Sequence, residues 1–456
     1  MQSVIIVGSG SAGLFAAYKL MEHKKLEIKI IDKGPSVKNR RCELQKDYKY
    51  CSNCNPCRAL CGIGGAGLFS SALLNLNSEI GGDLNNLAGS KEKALELINY
   101  IDRVFVDNGA PKKLYQASQK QIKDLQNKAN SVGIRFIPII QRHIGTENAP
   151  KVIGNIQKKL EDNGVKFILN AEVDSLKPDK IITQKGKELS YDFCIVAPGR
   201  SGMTWLSEQM KQLGVETRYE PLDVGVRVEV PYTVMNPICS IARDPKFHIF
   251  TPTYDDFVRT FCVNHQGYVV QEVYGEKNIT TNGHSFLSER SNNTNFALLV
   301  KISLTEPLED TTAYGETISF NCATLGGGKP LIQRLGDIRK NRRSKWGKIK
   351  DNFIQPTLKN VTPGDISMAL PHRIFIDIIE ALERLDKLIP GVANNSTLLY
   401  APEIKYSAKR IITNQFLETS INNLYVAGDG AGLTRGIVAA ALSGLIAADG
   451  ILNKCN

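Results

Sequence analysis

The sequence predicts an α/β protein: a doubly wound, Rossmann-like domain assembled from separated pieces, interrupted by a mixed β-sheet and helix domain. Three observations lead there. A short apolar strand at residues 3–7 runs into Gly8, Gly10 and Gly13 and then into a helix with apolar residues at helical spacing. Strand-like runs ending in small-residue turns recur at 191–196, before Ala197-Pro198-Gly199, and at 423–426, before Gly428-Asp429-Gly430-Ala431-Gly432. Between these blocks, residues 220–330 are rich in Val, Thr, Tyr and Phe with frequent turn residues, an antiparallel-sheet composition.

A chain of 456 residues allows two or three domains, and 42% hydrophobic with 23% charged residues excludes extensive disorder. The expected division is 1–90, 151–205 and 396–456 for the three pieces of the doubly wound domain, 91–150 for a helical insertion and 206–395 for a substrate or cap domain. The apolar stretch 436–448 contains Ser443 and falls short of the ~20 residues a membrane span needs, so a core helix and no transmembrane segment are expected. The opening MQSVIIVGSGSAG reads as a strand rather than a basic leader, and ten cysteines then point to a reducing cytoplasm. The net charge of +11 is uneven, since residues 339–350 (RKNRRSKWGKIK) carry seven basic residues and no acid. Such a run is either a solvated face or a site for phosphate, RNA or anionic lipid.

Gly8-x-Gly10-x-x-Gly13 has the spacing of a dinucleotide-binding turn. The first glycine makes the tight turn, the second admits a diphosphate, and the third lets helix and strand pack closely. The N–H groups of Ser11 and Ala12 open the helix and add its positive end. Asp32, with Lys33 beside it, ends the next strand and is placed to accept from ribose hydroxyls.

The choice between NAD and FAD comes from the far end. Residues 423–432 resemble the carboxyl-terminal motif of flavoproteins with two dinucleotide-binding segments, the glutathione reductase type. That resemblance implies that Asp429, with Gly428, Gly430, Gly432, Gly436 and Ile437, holds the ribityl chain and presents a helix N-terminus to the flavin, whose reduced ring is negatively charged. It also implies that Ala197 and Gly199 lie near the nucleotide and that the backbone of Val173 touches adenine. Gly64, Gly65, Ala66 and Gly67 then form a glycine loop against the cofactor. No second nicotinamide domain is apparent, so NAD(P)H is at most a transient donor.

Longer stretches, VIIVGSGSAGLFAA, CSNCNPCRALCGIGGAGLFS, QRHIGT, APEIKYS and YVAGDGAGLTRGIVAAALSGLIAADGI, resemble the bacterial and archaeal FAD-dependent dehydrogenases called NAD(FAD)-utilising dehydrogenases. The resemblance runs from residue 4 to residue 451 and implies FAD and oxidoreduction without naming a substrate. This chain departs at Ser71-Ala72-Leu73, where relatives often carry Asp-Gly-Lys, and at Lys405, where Arg is common.

Cys51, Cys54, Cys57 and Cys61 lie close in sequence, with Cys42 as an alternative ligand. The spacing resembles a ferredoxin loop, although Gly62 stands where ferredoxins place Pro. A [4Fe–4S] cluster acting as an electron relay, a tetrahedral zinc, a redox dithiol and plain packing all stay open. The remaining cysteines are scattered and read as inert.

Candidate catalytic residues are Arg142 and His143 in QRHIGT, and Glu403 and Lys405 in APEIKYS. The expected function is an FAD-dependent oxidoreductase moving a hydride or electrons between flavin and a small organic substrate, with an electron-transfer protein as a further partner. The alternatives are an FAD-dependent tRNA-modifying enzyme using the 339–350 run, and a non-enzymatic redox sensor or electron carrier built on the cysteines.

Overall fold

The computed structural model describes residues 1–42, 54–274, 278–286, 289–305 and 309–455. Its first sheet has five parallel strands in the order Leu424–Val426, Phe193–Val196, Gln2–Val7, Leu26–Ile31 and Lys166–Ile168. In chain order that is 5-4-1-2-3, so the three separated blocks of the sequence meet in one sheet. The central strands Phe193–Val196 and Gln2–Val7 carry the apolar runs, while Leu26–Ile31 alternates through the half-buried Glu27 and Lys29. The first helix, Ser11–Leu20, and the last, Ile437–Cys455, pack directly against each other. The last helix is long and apolar enough to cross a membrane by length and composition, but most of it is buried within the protein. It is a core helix here.

The second sheet is mixed and eight-stranded. Its order is Thr362–Pro363, Leu331–Arg334, Leu398–Lys405, Leu222–Pro231, Asn293–Ile302, Phe257–Asn264, Lys246–Phe250 and Ile134–Ile137. The alternation VxVxVxV in the central strand sends Val224, Val226, Val228 and Val230 to one face. There they meet Phe296, Leu298 and Val300 and the apolar side of the amphipathic helix His372–Leu388, through Ile374, Ile378, Leu382 and Leu385. The opposite face carries Asp223, Arg227 and Glu229 and is partly covered by the hairpin Tyr268–Tyr274 and Asn278–His284.

Two segments sit elsewhere than the sequence predicts. Leu398–Lys405, expected in the third piece of the parallel-sheet domain, is hydrogen-bonded between Leu331–Arg334 and Leu222–Pro231. All eight of its residues are buried, so it shows no alternation that would mark an antiparallel strand. Ile134–Ile137, expected in a helical insertion, is the edge strand beside Lys246–Phe250. Four residues are too few for a period to show.

Candidate functional site

The glycine turn divides its three glycines by role. Gly8 has φ +102°, and a Cβ there would run into the carbonyl oxygen of Ala197. A Cβ on Gly13 would strike the carbonyl of Gly8. Gly10 is different: the nearest atom to a Cβ there is Gly65 Cα at 3.9 Å, so the space over this glycine is open. Two glycines are therefore consumed by packing and the middle one fronts a cradle, as approach by a diphosphate requires.

The loop 62–67 closes over that cradle. Gly62, Gly64 and Gly65 all have φ between +55° and +102°, and Gly64 N donates to Ser9 O at 2.8 Å. Asp32 ties the pieces together. One carboxylate oxygen accepts from Ser9 N (2.8 Å) and Ser9 Oγ (2.6 Å), the other from Gly34 N and Gly62 N, both at 2.8 Å. Its acceptor sites are thus engaged by the protein. Lys33 beside it pairs with Glu172 at 3.3 Å. The segment leading to Val173 also lies here, with Ala171 N donating to Asp32 O and Asn170 N to Gly34 O.

Arg40 organises this loop, and nothing in the sequence singled it out. Its guanidinium is almost wholly buried and donates to the carbonyls of Arg58, Ala59, Ile63 and Gly65 at 2.6–3.2 Å, with a longer bond to Gly62. Burial pushes its pKa down to about 10, opposed by Asp32 and by the thiols of Cys61, Cys57 and Cys42. Backbone carbonyls have no letter in a sequence, which is why the role was invisible.

The last strand delivers the terminal turn to the same place. Asp429 Oδ1 accepts from Thr434 Oγ1 at 3.1 Å, and Oδ2 accepts from Gly436 N at 3.2 Å and lies 3.5 Å from Arg200 Nε. Gly430 sits so close to Gly199 that a Cβ would come within 2.5 Å of its carbonyl oxygen. Gly428 faces Ala12, and Gly432 packs on the Lys409–Arg410 backbone. Ser11, Gly64, Gly67, Ile144 and Ile437 line one pocket. The opening turn, the glycine loop and the terminal helix therefore meet at this pocket through Ser11, Gly64, Gly67 and Ile437.

Of the cysteine set, Cys51 lies outside the described residues. Cys54 Sγ accepts from Arg58 N at 3.3 Å, and Cys61 is buried with its sulfur 3.5 Å from Ser201 Oγ. Burial pushes the Cys61 thiol pKa up, against Ser201 and Lys33. Among the described residues no group of three or more His, Cys, Asp or Glu side chains is arranged to hold a metal. The cluster or zinc that the spacing suggested thus finds no ligand set among the described thiols, because their loop is folded around Arg40. Cys194, Cys239 and Cys322 are buried with raised thiol pKa values, as inert cysteines should be.

The catalytic candidates separate. The Arg142 fork is committed to Asp102, at 2.6 and 2.8 Å, and to Pro111 O, so it anchors the helix Lys91–Asp107. His143 is 2% exposed, and neither ring nitrogen has a hydrogen-bond partner. Burial and then Arg243 push its pKa down to about 4, opposed by Glu147, so the ring is neutral. It stands on Gln141–His143, paired with Leu73–Asn75, which follows the glycine loop. Glu403 is fully buried, with Arg227 bidentate at 2.9 and 3.0 Å and Lys405 Nζ at 2.8 Å. Burial alone would raise its pKa, but Arg227 and Lys405 outweigh that and hold it at about 2. It is a permanent anion that fixes Lys405.

The sequence can now be set beside known proteins. Residues 221–406 match the family described as FAD-dependent protein, C-terminal domain-like. An uncharacterised protein of Clostridium beijerinckii is 26% identical, with 99% of this chain and 80% of the relative covered. Among solved structures, glycine oxidase from Geobacillus kaustophilus is 13% identical at TM-score 0.40, covering 99% of this chain and 95% of that one. L-proline dehydrogenase from P. horikoshii is 12% identical at TM-score 0.40, covering 99% and 94%. The family match begins one residue before the strand Leu222–Pro231 and ends one residue after Leu398–Lys405, so it takes in every strand of the second sheet except Ile134–Ile137.

The basic run 339–350 lies on the surface of that sheet domain, over a turn and the short helix Trp346–Lys350. Arg342 pairs with Asp337 and Arg339 with Glu383, while the seven basic side chains are all exposed.

Proposed function

We propose that the protein is an FAD-dependent oxidoreductase that moves a hydride or electrons between FAD and a small organic substrate. The packing of the glycine loop 62–67, Gly428 and Ile437 around the opening turn 8–13 carries this reading, and the match of residues 221–406 to an FAD-dependent family supports it. In this reading the parallel sheet is a flavin domain of the glutathione reductase type, and the eight-stranded sheet is the substrate domain.

The residues present fit the cofactor. Open space over Gly10 receives the diphosphate, with the amides of Ser11 and Ala12 and the positive end of the first helix facing it. A ribose hydroxyl can bond Asp32 only by displacing Ser9 Oγ, its one donor that is not backbone. Asp429 is oriented by Thr434 and Gly436 to hold the ribityl side, and the terminal helix offers its N-terminus to the ring. FAD supplies the two-electron chemistry. The neutral ring of His143, with one donor and one acceptor nitrogen, holds or accepts the substrate proton.

Purification followed by absorbance and mass identification of the released chromophore tests the proposal. FAD is expected, and Gly10→Val should weaken its binding by at least about tenfold, or ~1.4 kcal/mol. A colourless protein, or one releasing only NAD, overturns the reading.

A further inference from the structure

Asp223, one of the most buried carboxylates on the polar face of the eight-stranded sheet, is held by two guanidiniums from distant parts of the chain. Arg259 Nη2 lies 2.9 Å from Asp223 Oδ2, and Arg435 Nη1 bonds the same oxygen. In register beside Asp223 stands Lys405, which is fixed by Glu403, which in turn is clamped by Arg227. Four cations, Arg227, Lys405, Arg259 and Arg435, therefore stand around Asp223 and Glu403, with Glu229 on the same face and Glu272 acting on Arg227.

The four cations differ in how far they are exposed. Arg227 and Glu403 are fully buried and spent on each other. Arg259 and Arg435 keep 24% and 33% of their side chains exposed. Arg259 also lies over the Phe261 ring at 5.1 Å, which limits its swing. Among the described residues it gives one hydrogen bond, through Nη2, and so keeps further donors in its fork. Arg435 directly precedes Gly436, whose N–H is bonded to Asp429, so the pair stands where the terminal helix begins.

We propose that Arg259 and Arg435 form a recognition fork for a substrate bearing a carboxylate, bound between the polar face of the sheet and the start of the terminal helix. It presupposes the flavin site proposed above. Guanidinium groups match carboxylates, and Arg259 and Arg435 each already reach Asp223 Oδ2 through one nitrogen, Arg435 with its Nη2 bonded to Ser407 Oγ and Pro221 O.

The test uses the purified holoprotein at constant ionic strength, with acetate, acetamide and inorganic phosphate as probes. Binding is read by calorimetry and by the difference spectrum of the bound chromophore. Acetate is expected to bind and to perturb the spectrum, and acetamide to do neither. Arg259→Met should weaken acetate by at least about tenfold and Arg259→Lys by less. Equal binding of acetate and acetamide, tighter binding of phosphate than acetate, or an unchanged Arg259→Met overturns the proposal. Should Arg259→Met lose its cooperative melt, Arg259→Lys decides, since unchanged acetate binding there overturns it equally. A preparation without flavin sinks the cofactor reading alone, because calorimetry still reports on the fork.

Discussion

Gly444 in the middle of the terminal helix lies against the backbone of Ala12 at the start of the first helix, so closely that a Cβ would run into the Ala12 carbonyl oxygen. This contact joins the two ends of the chain beneath the cavity. It is a backbone-to-backbone approach, and a backbone carbonyl yields less easily than a flexible side chain.

Gly444→Ala is accordingly expected to destabilise the protein by about 2 kcal/mol or more, at the upper end of overpacking costs, and to weaken cofactor retention. Gly347→Ala is the control. A Cβ there meets nothing within 4 Å and the residue lies in a short helix, so alanine should be neutral or mildly stabilising. Urea denaturation of both variants checks the pair; a silent Gly444→Ala would show that the helices can part without cost.

Arg40→Met should collapse the order of the glycine loop. The carbonyls of Ala59, Ile63 and Gly65 would lose their donor while remaining largely shielded from water, at ~1–3 kcal/mol for each group left unsatisfied. Arg40→Lys keeps the charge but cannot span the same fan of acceptors, so it should recover only part of the loss. Hydrogen exchange over residues 58–67, compared with global stability, measures whether the damage is local. Unchanged protection in Arg40→Met would refute the organising role.

What was legible in the sequence was what lies within a few residues of itself. Gly8, Gly10, Gly13 and the Gly428-Asp429-Gly430 turn carry their geometry locally, and the structure packs the two turns together with Gly428 against Ala12. What was not legible depends on partners far along the chain. Arg227 and Glu403 stand 176 residues apart, and Asp223 and Arg435 stand 212 apart. Glu403 read as a candidate catalyst because an acid beside a lysine and a tyrosine looks reactive; its buried partner Arg227 makes it a fixed anion instead. Leu398–Lys405 was assigned to the wrong sheet for the same reason, since two buried charges erased its alternation. Arg40 bonds carbonyls, which no residue letter reports.

The buried histidines set an acid sensitivity. His143, His248 and His265 all have pKa values pushed down to about 4, with burial as the largest cause. Each ring stays neutral in the folded chain, whereas an unfolded ring takes up its proton near the ordinary value of 6.5. The unfolded state therefore binds more protons between these values, and stability falls with pH in that window. Stability is complete above about pH 6.5, erodes toward pH 4 and is flat for these groups below it. For His143, at 2% exposure, the loss by about pH 5 is roughly 2 kcal/mol. His143→Gln should flatten the decline in urea midpoint between about pH 7 and about pH 5. An unaltered slope would mean that the ring is not held neutral.

The pair Arg227–Glu403 predicts an asymmetric mutational response. Glu403→Gln removes the carboxylate bonded by Arg227 and paired with Lys405, leaving one fully buried and one nearly buried cation without it. Stranding a buried charge costs about 3–5 kcal/mol. Arg227→Met leaves Glu403 with Lys405 at 2.8 Å and a hydrogen bond from Thr281 Oγ1 at 2.9 Å, so the carboxylate keeps a counter-ion. Arg227→Met should therefore cost less than Glu403→Gln. The double variant Arg227→Met with Glu403→Gln should lose less than the sum of the two single losses, because removing both partners strands fewer charges than removing the acid alone. Urea midpoints of the three variants near pH 7 give the cycle. Equal single losses, or strict additivity, would mean that Arg227 draws its compensation from Asn295, Asn282 and the Cys262 carbonyl rather than from Glu403.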